Sequence, residues 1–328
     1  MHVAAVNLRG GVAHRAVRLR GQSIIEYVLI IAIIGLVIVF AGPSVAGAIR
    51  NQFNQVTNTV DSGTESDNFI SSEEKAYREA MKTVASKEAK DWTLDEQKAA
   101  ATDIAKNGTS SVVYAKAKAA MDAGTTWSMK LTNGKTMTYR IIGINHDDLA
   151  DGSGKAGLTF HSLDKSIYID NNELRADSNI GGWEKSELRQ RMNSGDIWNL
   201  LPSDLQAKVK PVSKFTNNVS GADRNALVTK TVDKVFLLSN SEIVGESYSN
   251  WSAYSWITSE GFQYEAFQGK AIKNGQDNPA IALSDDNWWE RSAAPDNSLC
   301  FLQVTEQGEP SSISRTVFGS YVCPAWCF

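Results

Sequence analysis

"TWSMKLTNGKTMTYRIIGINHDDLADGSGKAGLTF", residues 126–160, is the stretch on which the fold turns. Two short alternations of apolar and polar residues, around Trp127 to Leu131 and Met137 to Ile144, flank Asn133 and Gly134. Asn-Gly supplies the positive φ angles of a tight turn, so the pattern predicts a β-hairpin. The Asp- and Gly-rich run that follows contains Asp147, Asp148 and Asp151, which raises calcium as a reading. The spacing is not that of an EF-hand loop, which needs a Glu at its twelfth position. Asp and Gly are the ordinary residues of turns, and a loop is expected here.

Further along, "WEKSELRQRMNSGDIWNLLPSDLQAKV" (183–209) places Leu188, Met192, Ile197 and Leu200 on a loose apolar helical face, with Pro202 starting the next turn. The stretches 233–243, 287–310 and 320–328 read as short strands and loops with long polar connections. Helices interspersed with short strands of this kind define an α+β domain over 126–328.

Upstream, "DSGTESDNFISS" (61–72) lacks periodicity and reads as a linker. Residues 73–88 are rich in helix formers, and Thr93 and Glu96 have the spacing of a capping box opening a second helix. "SSVVYAKAKAAMDAG" suggests a third helix ending at Gly124. Residues 73–124 are expected to be a helical spacer.

The 328 residues are 42% hydrophobic, enough for a sizeable core, and carry a net charge of -4. Residues 1–21 contain Arg9, Arg15, Arg18 and Arg20 and no acid, so without them the charge is about -8 (-4 minus 4). No basic patch interleaved with aromatics is present, which argues against nucleic acid as a partner. Cys300, Cys323 and Cys327 are the only cysteines. Cys323 and Cys327 on one extended strand would lie roughly 13 Å apart, too far to bridge. Cys300 is the better partner for one of them, with Cys300–Cys323 the expected pair; three small buried apolar side chains are the other reading. No CxxC or His-rich spacing suggests zinc, and no cofactor is expected.

Residues 20–40, "RGQSIIEYVLIIAIIGLVIVF", are apolar enough for a bilayer, with about 18 residues from Ile24 to Ala41. Glu26 lies within this segment, where a carboxylate costs about 2.5 kcal/mol or more unless it has a role. A secretory signal peptide or an uncleaved signal anchor accounts for the run but not for Glu26. A cut between Gly21 and Gln22 would make Glu26 the fifth and Tyr27 the sixth residue of the mature chain. In this respect residues 20–60 resemble the Flp subgroup of type IV pilins, which have a basic leader ending in Gly, a Glu-Tyr pair at those positions and a Leu/Ile/Val run. The amphipathic tail that follows the run there corresponds to Ile49, Phe53, Val56 and Val60 here.

The resemblance implies a prepilin peptidase acting after Gly21, a leader over 1–21, a pilin-type helix and tail over 22–60, and other pilin subunits as partners. Glu26 of one subunit would then pair with the Gln22 amine of its neighbour, fixing register more than adding stability. The precursor would cross the bacterial cytoplasmic membrane once and end at the cell surface or in a pilus. Many such pilins end near residue 60, whereas this chain continues for over two hundred residues, which favours a minor or tip subunit.

Residues 126–328 resemble the DUF6273 family, on His146–Phe160, Leu188–Asn193, Asp233–Glu242, "WERS" at Trp289–Ser292 and "VCPAWCF" at Val322–Phe328. Cys323 stands where that family usually has Arg, and Glu290 where it has Leu. The resemblance implies a bacterial surface domain related to the C-type lectin-like fold, with no activity attached.

Trp251, Trp256, Trp288 and Trp289 are the candidate ligand contacts, since rigid aromatic faces suit sugars and other ligands; core packing is the competing reading. Trp288 and Trp289 on an alternating strand would place one ring inside and one outside. The mature chain has only His146 and His161 as histidines and no G-x-S-x-G or HExxH, so no enzyme is expected. The chain thus reads as a pilin-like surface protein displaying an adhesin-like domain, its ligand a glycan in one version. A membrane-anchored binding module that never polymerises is the alternative.

Overall fold

The computed structural model describes residues 72–328, apart from 172, 175–176, 220–222, 246–250, 252 and 284. Gly21, Gln22, Glu26 and Tyr27, with the expected leader, pilin-type helix and most of the linker, lie outside the described residues. Among the described residues no helix is long and apolar enough to cross a membrane.

Three helices come first: α1 (Ser72–Ser86), α2 (Leu94–Asn107) and α3 (Tyr114–Asp122). The capping box opening α2 is formed. The Thr93 hydroxyl accepts from the Glu96 N–H at 3.3 Å, and the Glu96 carboxylate accepts from the Thr93 N–H at 2.8 Å. Just beyond α3, Gly124 takes a φ of 66°, the left-handed conformation that glycine adopts without strain. The helices do not stand apart as a spacer. Val84, Trp92, Ala101, Ile104 and Ala117 are buried in the same core as the sheet residues Phe160 and Trp326.

The expected hairpin pairs β1 (Thr126–Lys130) with β2 (Thr136–Ile144), Trp127 facing Tyr139, with Gly134 at a φ of 84° in the turn. The chain continues through β3 (Leu158–Ser162) and β4 (Tyr168–Ile169). Where one loose helical face was predicted, four short helices form: α4 (Gly182–Lys185), α5 (Glu187–Ser194), α6 (Asp196–Leu200) and α7 (Ser203–Lys208). A Cβ at Gly195, between α5 and α6, would sit 2.8 Å from the Arg191 Cα, so the chain turns here only with glycine. Leu188, Met192 and Ile197 are buried as the apolar pattern requires.

Next come β5 (Val212–Asn217), β6 (Val228–Asp233), β7 (Val235–Phe236), α8 (Asn240–Ile243) and α9 (Ser255–Ser259). Strands β8 (Trp288–Ala293), β9 (Cys300–Val304), β10 (Ser312–Arg315), β11 (Ser320–Tyr321) and β12 (Ala325–Cys327) complete the domain.

One sheet has the order β1-β2-β3-β12-β7, antiparallel throughout, and the second the order β10-β9-β8-β11-β4. Strands β5 and β6 form a separate ribbon. The α+β class holds. At the centre of the first sheet Trp127, Tyr139, Phe160 and Trp326 pack ring against ring, with centroids 5.1–6.2 Å apart. Contacts at these spacings add to what burial alone contributes.

Candidate functional site

Strand β5 reads Val212, Lys214 and Thr216 on its buried side. A lysine in that position needs partners, because an unpaired buried ammonium costs far more than burial of its stem returns. Its Nζ donates to Asp147 Oδ1, to Glu242 Oε1 at 2.8 Å and to Tyr264 Oη at 2.9 Å, using all three N–H groups. The loop after β2 brings Asp147 inward, with Asn145 at a φ of 52° turning the chain. Its carboxylate also accepts from the Thr159 hydroxyl at 2.5 Å and from Tyr264 Oη, 3.1 Å from both oxygens.

Glu242 is fixed by its own helix end: Ser239 and Glu242 form a capping box at the start of α8. The Arg291 guanidinium on β8 grips both oxygens of Glu242, its Nη2 lying 2.9 Å from Oε1, and also donates to the Leu237 and Glu260 carbonyls. Two cations, Lys214 and Arg291, thus balance two carboxylates, Asp147 and Glu242.

The electrostatics follow from this packing. Burial acts to raise the Asp147 carboxyl, but the charges of Lys214 and His146 and the hydrogen bonds of Lys214 and Thr159 overcome it and hold it well below the usual carboxylate range. Burial favours the neutral amine of Lys214, and the Asp147 and Glu242 carboxylates reverse that, keeping it charged. Among the described residues no cation forms an ion pair with the Glu260 carboxylate. Burial raises it to about 7, against the hydrogen bond from Ser292 and the nearby Arg291 charge. Its oxygens receive the Asn217 N–H at 3.0 Å and the Ser292 hydroxyl.

A cleft of about 340 Å³ opens over this cluster. His146 stacks on Tyr264 with centroids 4.0 Å apart, and its Nδ1 lies 3.1 Å from Glu265 Oε1. Thr258 and Ser259 add hydroxyls to the wall, and Phe215 and Phe262 line it as well. Phe262 is 83% exposed and Phe215 37%. The cleft therefore sets two exposed aromatic rings beside polar and charged side chains.

The residues picked out in the sequence do not gather at this cleft. Trp256, Trp288 and Trp289 are all buried, and Trp251 is half-buried. Strand β8 is covered on both sides, so the expected division of Trp288 and Trp289 into one inner and one outer ring does not occur. The Trp288 indole donates to the Ile281 carbonyl, and the Trp256 indole to the Asp223 carbonyl. Trp289 borders a smaller apolar cavity of about 100 Å³ with Trp183, Leu188, Leu237 and Phe301.

Cys300, Cys323 and Cys327 are free and buried, in place of the expected Cys300–Cys323 bridge. Cys300 belongs to a small cluster with Tyr254, Trp256 and Leu302, whereas Cys323 and Cys327 belong to the main core. The aspartates considered for calcium diverge: Asp147 faces Lys214, Asp148 lies 3.1 Å from Lys155, and Asp151 accepts from the Ser153 N–H. Among the described residues no group of three or more His, Cys, Asp or Glu side chains is placed to hold a metal ion.

Two five-stranded sheets, a two-stranded ribbon and short helices, with a charge-balanced buried cluster under a polar cleft, define an α+β domain. The family model for the domain of unknown function DUF6273 matches residues 161–327, just over half of the chain, and the chain belongs to that family. Comparison with curated proteins and with solved structures finds no match.

Proposed function

We propose that this chain is a bacterial surface protein whose C-terminal domain binds a ligand in the cleft between His146 and Phe262, and whose N-terminal apolar segment exports it and assembles it as a pilin-like subunit. The observation that carries the binding half is the exposed ring of Phe262 on a cleft that also holds His146, Asp148, Thr258 and Ser259. A sugar suits such a wall, because its C–H face stacks on an aromatic ring while its hydroxyls reach the polar side chains. On this reading the domain is a C-type lectin-like one, and the ligand is a surface glycan. The assembly half rests on Glu26 and Tyr27 at their spacing from Gly21.

The test is glycan-array binding by the full chain in detergent, compared with Phe262→Ala and with Ile180→Ala, a change at another exposed apolar residue. Binding should weaken at least about tenfold in Phe262→Ala, a loss of about 1.4 kcal/mol, and stay unchanged in Ile180→Ala. Equal binding by all three, or none by the unaltered chain, would remove the cleft from the account.

A further inference from the structure

The innermost part of the cluster holds an arrangement that ligand binding does not need. The side chains of Lys214 and Asp147 are each 3% exposed, in contact, and drawn from segments far apart in sequence. The Phe236 ring closes over Nζ, its centroid 3.9 Å away. Tyr264 Oη lies 2.9 Å from Nζ and 3.1 Å from each Asp147 oxygen, so one hydroxyl touches the amine and both oxygens of the carboxyl. Glu242 Oε1 holds a second N–H of the same amine at 2.8 Å.

We propose that Lys214 and Asp147 condense into an intramolecular amide, a self-formed cross-link between strand β5 and the loop after β2. A proton passes from the Lys214 ammonium through the Tyr264 hydroxyl to an Asp147 oxygen, leaving, transiently and against the charges that hold the pair ionised, a neutral amine beside a neutral acid. The amine lone pair forms the C–N bond to Asp147 Cγ, a second proton reaches the departing oxygen, and the C–O bond breaks. One water leaves, carrying that oxygen and two of the three ammonium hydrogens, and no oxidant or other reactant is required. Thr159 and Tyr264, both donating to the carboxyl, stabilise the oxygen on which charge develops. Fixing the two groups in contact makes the step unimolecular.

The surroundings accommodate the product. Taking an ion into a protein interior is costly even when it is paired, and condensation removes one ion of each sign. What is left, Glu242 with both oxygens on Arg291, is itself a balanced pair. The remaining amide N–H keeps Glu242 Oε1 as acceptor, and the amide oxygen keeps Tyr264 as donor. The cross-link is independent of whether the cleft binds a glycan.

The experiment is protease digestion of the folded full chain followed by mass spectrometry, with Lys214→Arg and Tyr264→Phe in parallel and near-ultraviolet circular dichroism to check folding. The unaltered chain should release the peptides containing Asp147 and Lys214 as one branched species, lighter than their sum by one water. Both variants should release them separately, Tyr264→Phe while still folded. Unlinked peptides from the folded unaltered chain would overturn the cross-link. A linked product from Tyr264→Phe would overturn the role given to its hydroxyl.

Discussion

Gly157 lies so close to Ala101 that a Cβ on the glycine would fall 1.8 Å from the Ala101 carbonyl oxygen. Helix α2 therefore rests on the chain entering β3 at backbone distance, and the helices and the first sheet share one core.

Gly157→Ala should accordingly destabilise the domain by about 3 kcal/mol or more, because the obstructing atom is backbone and cannot swing aside. The midpoint of urea unfolding reads this directly. A variant as stable as the original would show that α2 can move off the sheet.

Arg291→Met should cost roughly 3–5 kcal/mol, since it leaves the Glu242 carboxylate buried without its bidentate partner. Unfolding in urea measures the loss, and a cost below about 1 kcal/mol would mean that water reaches the cluster.

Glu260 gives a pH dependence of definite sign. Its folded value, about 7, lies above the ordinary 4.5, so its contribution to stability is complete below pH 4.5 and is lost as the pH rises through about 7. The span amounts to roughly 3 kcal/mol. Glu260→Gln removes the titration, so the stability gap between variant and original should shift in the variant's favour from about pH 5 to about pH 8. A gap that does not change with pH would show that Glu260 ionises normally.

At the other end of the chain, protein recovered from the cell surface should begin at Gln22, and Glu26→Ala should abolish its incorporation into filaments. Mass spectrometry of the N-terminus and filament imaging are the measurements. A start at Met1, or filaments containing Glu26→Ala, would leave a membrane-anchored module that does not polymerise.

Local signals carried the architecture further than they carried the site. The Asn133-Gly134 turn, the Thr93/Glu96 cap and the apolar spacing of Leu188, Met192 and Ile197 are each decided within a few residues, and each is present. The hidden part depends on what covers an element. A lysine on a strand reads as a solvent-facing charge, and only its parity with Val212 and Thr216 signals that Lys214 points inward. The tryptophans drew attention by size, yet burial of both sides of β8 is a property of the sheet order, which no local pattern encodes. Phe262 gave no signal, because a phenylalanine is normally expected inside.

Strand β12 lies between β3 and β7, with Trp326 opposite Phe160 on one side and Val235 on the other. The first sheet therefore stays open in the middle until residues 325–327 have been synthesised and have returned to strands made far earlier. Pairing over such separations is slow, because loop closure must be met before any contact rewards it. If residues 20–40 enter a membrane as proposed, they are available to it throughout that interval. On the proposed reading, export thus meets a chain whose binding domain has yet to close, and the fold is completed on the side of the membrane where it will be displayed.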